Sequence, residues 1–316
     1  MSYGYTGKIL HVNLSKGELE IEEPDEQFYR TYMGGSAMGM HYVLKETPVG
    51  VDPFSPDNVL ALCTGILTGT PISGQSRLTS VAKSPLTGCI GDAQGGGYFP
   101  AEMKFSGFDA VIIKGRSPKP VYLWLHHGEA ELRDASHLWG LTTGDAEDKL
   151  KEELDDKRIE VLQIGPAGEN LVRFSALISM SNRANGRTGM GAVMGSKNLK
   201  AVVVRGKMKP AIANPEKFKE IQKLARVNLE PTGMDGFGKY GTPGVTTPQH
   251  RAGGLPTYNF NSGNFDKHEE IDGHKLYNEH LRGHEKDDQN RFGRDTCFSC
   301  SIKCKRVSEV GEGPFK

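Results

Sequence analysis

No run of the eighteen or so apolar residues that a lipid-spanning helix needs occurs in this 316-residue chain. Nor does either sign of charge prevail: 39 lysine and arginine residues face 39 aspartate and glutamate residues. That balance excludes a global field drawing the chain to nucleic acid or to an anionic membrane. Cysteine is scarce, five in all, and three of the five crowd into DTCFSCSIKC at 295–304. So few and so clustered, they do not read as a disulfide framework and fit a reducing compartment. The opening MSYGYTGKILHVNL has no basic segment followed by a long apolar one. No export signal is therefore read there, and a cytoplasmic protein is expected.

What the chain has in abundance is glycine: 40 of 316 residues, against a usual share of about 7%. The glycines cluster in short sets between apolar stretches, where backbone must turn sharply or come close to a ligand. The length allows two domains with substantial cores.

The opening predicts a β-hairpin from KILHVNL (8–14) and ELEIEE (18–23), joined by Ser15, Lys16 and Gly17. A helix is expected over 25–33, a second from Gly34-Gly35 to Leu44, and then short β-rich runs at 58–65, 77–84, 109–115 and 120–126. A charged helix at 144–156 separates these from runs at 160–165, 172–179 and 201–206. The order lacks the regular alternation of a parallel βαβ sheet, so an α+β domain of mixed sheets ending near Met208 is expected. Beyond it, Asn214-Pro215 is a helix start and EKFKEIQKLARVNL carries amphipathic spacing. Residues 231–263 are loop-rich and HKLYNEHLRG (274–283) is a further helical stretch, so 209–316 reads as mostly helical.

Cys297, Cys300 and Cys304 stand at Cys-x2-Cys-x3-Cys spacing. Thiolates so spaced converge on one centre when a tight turn carries them, and iron–sulfur ligation is the leading reading. Zinc is less favoured, because its motifs come as two pairs or with histidine, and three unconnected thiols are the remaining alternative. Cys63 and Cys89, in or beside expected strands, read as core residues, with completion of the metal site by either as the alternative. Three glycine-rich stretches, 69–77, 91–107 and 183–201, the first and last of them with arginine, offer backbone N–H groups and guanidinium donors suited to phosphate, or else serve as plain turns. None matches a P-loop, and none is read as the strand–turn–helix of a dinucleotide fold. His280 and His284 lie four apart on an expected helical face, with a solvated surface favoured over a metal site.

The blocks TGKILHVNLSKGELEIEE, VDPFSPDNVLALCTGILTGT, KSPLTG, GGGYFPAEMKFSGFDAVIIKG, DASHLWG, IGPAGENLVRFSA and RTGMGAVMGSKNLKAVVVRG strongly resemble the aldehyde:ferredoxin oxidoreductases. The resemblance runs from Tyr5 through Cys304, in the family's order. It implies a 1–208 domain of two β-sheets forming a saddle for a tungsten (or molybdenum) bis-pterin, with flanking helices. The start of a mostly helical domain, carrying the cysteine motif, would follow over 209–316. It also implies a 4Fe-4S cluster on Cys297, Cys300 and Cys304, with a fourth ligand from further downstream in a longer enzyme. Arg77, Gln94, Gly95, Gly96, Arg183 and Ala184 match family positions contacting the pterin phosphates or the magnesium bridging them. Gln94 departs from the asparagine usual there. The resemblance further implies an aldehyde or carboxylate substrate, ferredoxin as electron partner and a homodimer as the candidate assembly. It names no catalytic acid or base within this chain. Open alternatives are a reductase or oxidase of the same superfamily acting on an aromatic thioester or an aldehyde phosphate, and a half-length electron-transfer or cofactor-carrier module.

Overall fold

ILHVN and ELEIE pair as an antiparallel hairpin, β1 (Ile9–Asn13) against β2 (Glu18–Glu22), with Ile9 opposite Glu22. They open the computed structural model, which describes residues 3–228 and 230–311 apart from the side chains of 225 and 226. Most of the closing stretch EVGEGPFK, read as a connecting loop, lies outside the described residues. Helix α1 (Glu26–Tyr32) follows, started by Asp25, whose carboxylate accepts the Phe28 N–H at 2.8 Å. Then come α2 (Gly35–Glu46), β3 (Leu60–Thr64), β4 (Leu78–Lys83), β5 (Ile90–Gly95), α3 (Phe99–Phe105) and β6 (Ala110–Lys114). The strands form a six-stranded sheet in the order β2-β1-β6-β3-β4-β5, mixed because β1 and β6 run parallel.

The next elements are β7 (Val121–His126), β8 (Glu129–Asp134), α4 (Thr143–Glu153), β9 (Glu160–Gln163), α5 (Pro166–Glu169), β10 (Leu177–Ser179), β11 (Arg183–Asn185), α6 (Met190–Ser196) and β12 (Leu199–Arg205). They build a second mixed sheet, β11-β10-β9-β12-β7-β8, in which β12 and β7 run parallel. The α+β reading with two sheets is the architecture found. The strand expected over 172–179 shrinks to its last three residues, because Leu171 is left-handed and Ser175 N–H closes a turn onto Val172 O.

Alternation along the strands explains the layering. Leu10 and Val12 of β1, with Leu60, Leu62, Leu123, Leu125, Val202 and Val204, face a central core that takes in Phe99 and Met103 of α3 and Val193 of α6. The opposite residues Ile9, Ala61, Cys63, Val81 and Ile112 pack under Tyr29, Met38 and Tyr42 of α1 and α2. Tyr122, Trp124, Val161 and Val203 do the same beneath Leu150 of α4. Strands covered on both faces read as continuous apolar runs, and for that reason they are recognisable in the sequence.

Two ionisable groups, buried Lys197 and half-buried Glu160, oppose each other near neutrality. Burial, with Arg116 adding like charge, pulls Lys197 down to about 7, its Nζ donating to the Pro56 and Gly115 carbonyls at 3.1 and 3.4 Å. Burial also pushes the Glu160 carboxyl up to about 7, helped by Glu147 and Glu102. Unfolded, the lysine holds its proton to about 10.4 and the glutamate loses its own near about 4.3. Stability therefore falls as pH rises from about 5 to 7, where the fold gives up the Glu160 proton. It rises from about 7 to 9, where the unfolded chain alone keeps the Lys197 proton. Each arm is worth about 2 kcal/mol. Urea midpoints measured from pH 5 to 9 should pass through a minimum near 7. Glu160→Gln should flatten the acid arm and Lys197→Met the alkaline arm; a monotonic wild-type profile would contradict this.

The chain divides into two compact units. One runs up to Thr70 and over Gln75–Pro215; the other combines Pro71–Gly74 with the residues from Glu216 onward. The second holds α7 (Pro215–Val227), which begins at the junction, α8 (Met234–Tyr240), α9 (Thr246–Arg251), α10 (Gly273–Lys275), α11 (Gln289–Phe292), β13 (Arg294–Asp295) and β14 (Lys305–Arg306). The helix expected over 274–283 is cut short: α10 passes into a π-helical turn, Leu276–His280, and Leu281 is extended. With Gly283 left-handed between them, His280 and His284 share no helical face. Among the described residues no helix is long and apolar enough to cross a membrane.

Candidate functional site

Two stretches read as glycine loops turn out to be the edges of the two sheets, drawn against each other. Strand β5 closes the first sheet and β11 closes the second. Gly91 and Gly95 lie four apart on β5 and so face the same side. A methyl group at Gly95 would stand 2.3 Å from Asn185 Oδ1, and one at Gly91 would stand 2.7 Å from Met190 Cε. Only a glycine edge admits the neighbouring strand this closely. Asn185, which is buried, fastens the junction: its Nδ2 donates to Ala93 O at 2.8 Å, and to Leu78 O and Ser80 Oγ at 3.2 Å.

That amide joins the three segments in or next to which the six residues expected to contact a cofactor lie. Arg77 precedes β4 immediately and is exposed, and its side chain has no hydrogen-bond or ion-pair partner among the described residues. Gln94, opposite Thr79, is exposed on β5; Gly95 is buried opposite Leu78, and Gly96 is half-buried. On β11, Arg183 is 5% exposed and donates from Nη1 to Asn182 Oδ1 at 2.6 Å, whereas Ala184 is exposed. The β10–β11 turn adds a clamp. Met180 and Ser181 are both left-handed there, a conformation costly for side chains of this kind. Met180 Sδ accepts the Tyr98 N–H at 3.2 Å and would lie 2.8 Å from a methyl group at Gly97, whose φ is +102°. Asn185 and Met180 are the site residues that sequence reasoning missed. The Asn-Gly pair at 185–186 is a turn signal, and nothing in the string names the strand its amide reaches. A further difference lies downstream, where β5, Gly96-Gly97 and α3 do form a strand–turn–helix, though on an antiparallel edge.

The cysteine loop belongs to the second unit. A two-residue antiparallel ladder closes it, Arg294 opposite Arg306 and Asp295 opposite Lys305. Within it Ser299 and Lys303 are left-handed, each just before a cysteine. Cys300 N–H donates to Cys297 O at 3.1 Å, and Thr296 Oγ1 donates to Cys300 O at 2.8 Å. All three thiols are half-buried. Their three sulfurs are not all within 4.8 Å of one another. Arg294 and Arg306 supply positive charge on the same loop, with guanidinium donors on the carbonyls of Ile302 and Lys303. Burial holds both arginines below their ordinary range. Cys63 is the core residue expected, its thiol raised by burial; Cys89, expected inside, is exposed in the turn before β5.

A family model described as the aldehyde ferredoxin oxidoreductase N-terminal domain matches residues 9–206, and one described as domains 2 and 3 of the same enzyme matches 217–316. The chain belongs to the aldehyde ferredoxin oxidoreductase family. Among its curated relatives in that family are tungsten-containing aldehyde ferredoxin oxidoreductases of Pyrococcus abyssi, 43% identical, and Pyrococcus horikoshii, 42% identical; each match covers 98% of this chain and 50% of the relative. A solved structure, the active-site complex BamBC of benzoyl coenzyme A reductase with 1,5-dienoyl-CoA, superposes with a TM-score of 0.79 at 28% identity, over 99% of this chain and 48% of that one. This member of the aldehyde ferredoxin oxidoreductase family thus spans about half the length of the relatives it matches.

Proposed function

We propose that the chain forms the amino-terminal part of a tungsten-pterin, iron–sulfur oxidoreductase that interconverts aldehydes and carboxylates with ferredoxin as electron partner. The observation that supports this reading is that the Asn185 amide joins β4, β5 and β11, the three segments at which Arg77, Gln94-Gly95-Gly96 and Arg183-Ala184 stand. In it, residues 1–208 are the pterin-binding saddle, and 209–316 begin a helical domain carrying the cluster cysteines. Arg77 and Arg183 hold the pterin phosphates with permanently charged, forked donors. The edge at Gly95 and Gly96 would let main chain come close to them, and carbonyls at Gln94 and Ala184 would suit a hard magnesium ion. Cys297, Cys300 and Cys304 supply soft thiolates for a 4Fe-4S cluster. When bound, the metal–pterin supplies the two-electron chemistry and the cluster relays electrons singly. Identity of 43% to an aldehyde enzyme, against 28% to the benzoyl coenzyme A reductase complex, supports the aldehyde over an aromatic thioester.

The test is tungsten and iron content, with EPR after reduction, of the holoenzyme purified without oxygen. Wild type is expected to contain both and to reduce a viologen when given an aldehyde. Arg77→Ala should lose at least two-thirds of the tungsten while keeping its iron, and Cys297→Ala should lose the reducible cluster signal. A wild type holding neither tungsten nor a reducible cluster would sink the reading.

A further inference from the structure

We propose that the Ser73 hydroxyl donates a hydrogen bond to the Cys300 sulfur and raises the reduction potential of the cluster that this loop would hold. The inference rests on the cluster reading above and adds a residue to it. Pro71–Gly74 leaves the sheets on either side of it in sequence and packs as part of the cysteine-bearing unit. Gln222 Nε2 secures it there by donating to Pro71 O at 2.6 Å. Ser73 Oγ accepts the Ser301 N–H at 3.0 Å, which spends one of its lone pairs and orients the hydroxyl. Its single proton then points to Cys300 Sγ, 4.0 Å away. The Thr296 hydroxyl on the cysteine loop instead directs its proton to the carbonyls of Cys297 and Cys300.

Reduction adds negative charge that spreads onto the ligand sulfurs. A donor aimed at one of them stabilises the reduced state more than the oxidised one, and the potential rises. The donor touches no substrate, so Ser73 is a positioning and tuning residue rather than a catalytic one.

An EPR-monitored redox titration of the anaerobic holoenzyme tests this. Ser73→Ala is expected to disfavour one-electron reduction about threefold, a shift of about 28 mV to lower potential at 59 mV per decade. Ser73→Thr keeps the hydroxyl and should stay within a third of that shift. ENDOR of the reduced cluster before and after exchange into D2O should show an exchangeable proton in wild type and Ser73→Thr that is missing from Ser73→Ala. That signature separates a donor from a residue that merely holds the loop. An unshifted midpoint in Ser73→Ala, or an exchangeable coupling that persists in it, overturns the inference and leaves the cluster reading standing. A wild-type holoenzyme without a reducible cluster overturns both.

Discussion

Asn185→Ala is expected to destabilise the protein by about 2–4 kcal/mol and to cut its bound tungsten at least tenfold. The stability loss follows from what the amide does. It is buried, and its donors reach a carbonyl on β4, a carbonyl on β5 and the Ser80 hydroxyl. Truncation leaves buried acceptors without their donor and a gap where the side chain stood. The tungsten loss is the larger effect, because the residues proposed to grip the cofactor come from three chain segments that this amide holds in register. Asn185→Asp isolates that role. It keeps the shape but replaces the donor with acceptors that face carbonyls, so it should lose as much tungsten as alanine does. Thermal scans with metal analysis decide the matter: full tungsten content in Asn185→Ala would show that the edges keep register without it.

Asp109→Ala is expected to cost about 3–5 kcal/mol, the scale for breaking a buried ion pair from one side. Lys104 and Asp109 are 0% and 1% exposed, with 3.6 Å between Nζ and Oδ1. The carboxylate also accepts the Thr6 N–H at 2.9 Å, the Gly7 N–H at 2.9 Å and the Tyr29 hydroxyl at 3.2 Å. Lys104 additionally donates to Gly4 O and Gly65 O, both at 2.6 Å, so the pair ties the amino-terminal segment to the end of β3. Burial already pulls Lys104 below the usual lysine range while Asp109 resists. With Asp109 gone the lysine must shed its proton more readily, and the loss should be greater at pH 6 than at pH 9. Adding Lys104→Met should recover a large part of it. Denaturant unfolding of the two single variants and the double variant reads out the coupling, and additive losses would refute it.

Elements covered on both faces were legible because long apolar stretches such as LALC, AVII and VYLWL leave few other readings. The packing that joins the candidate site residues was not. Strand β5 reads IGDAQG, and its glycines record the neighbour it must admit rather than any period of its own. Strand β11 has three residues, too few for alternation to show. All seven residues of α6 are buried, so no polar face betrays the helical period in MGAVMGS. The cysteine motif was visible from spacing alone, since its three members lie within eight residues of one another. The partners of Asn185 lie 92 to 107 positions away, and Ser73 stands 227 positions before Cys300. Such pairs are fixed by the fold and leave no mark in a single string.

The four-residue excursion Pro71–Gly74 makes the division of this chain discontinuous. The backbone passes from one unit to the other and back before the junction at Pro215 carries it across again. A break at Pro215 would therefore not yield two self-sufficient pieces, since the later piece would lack residues that pack within it. Unfolding of the two units should for the same reason be coupled, appearing as one transition when followed by tryptophan in the first unit and by the cysteine loop in the second.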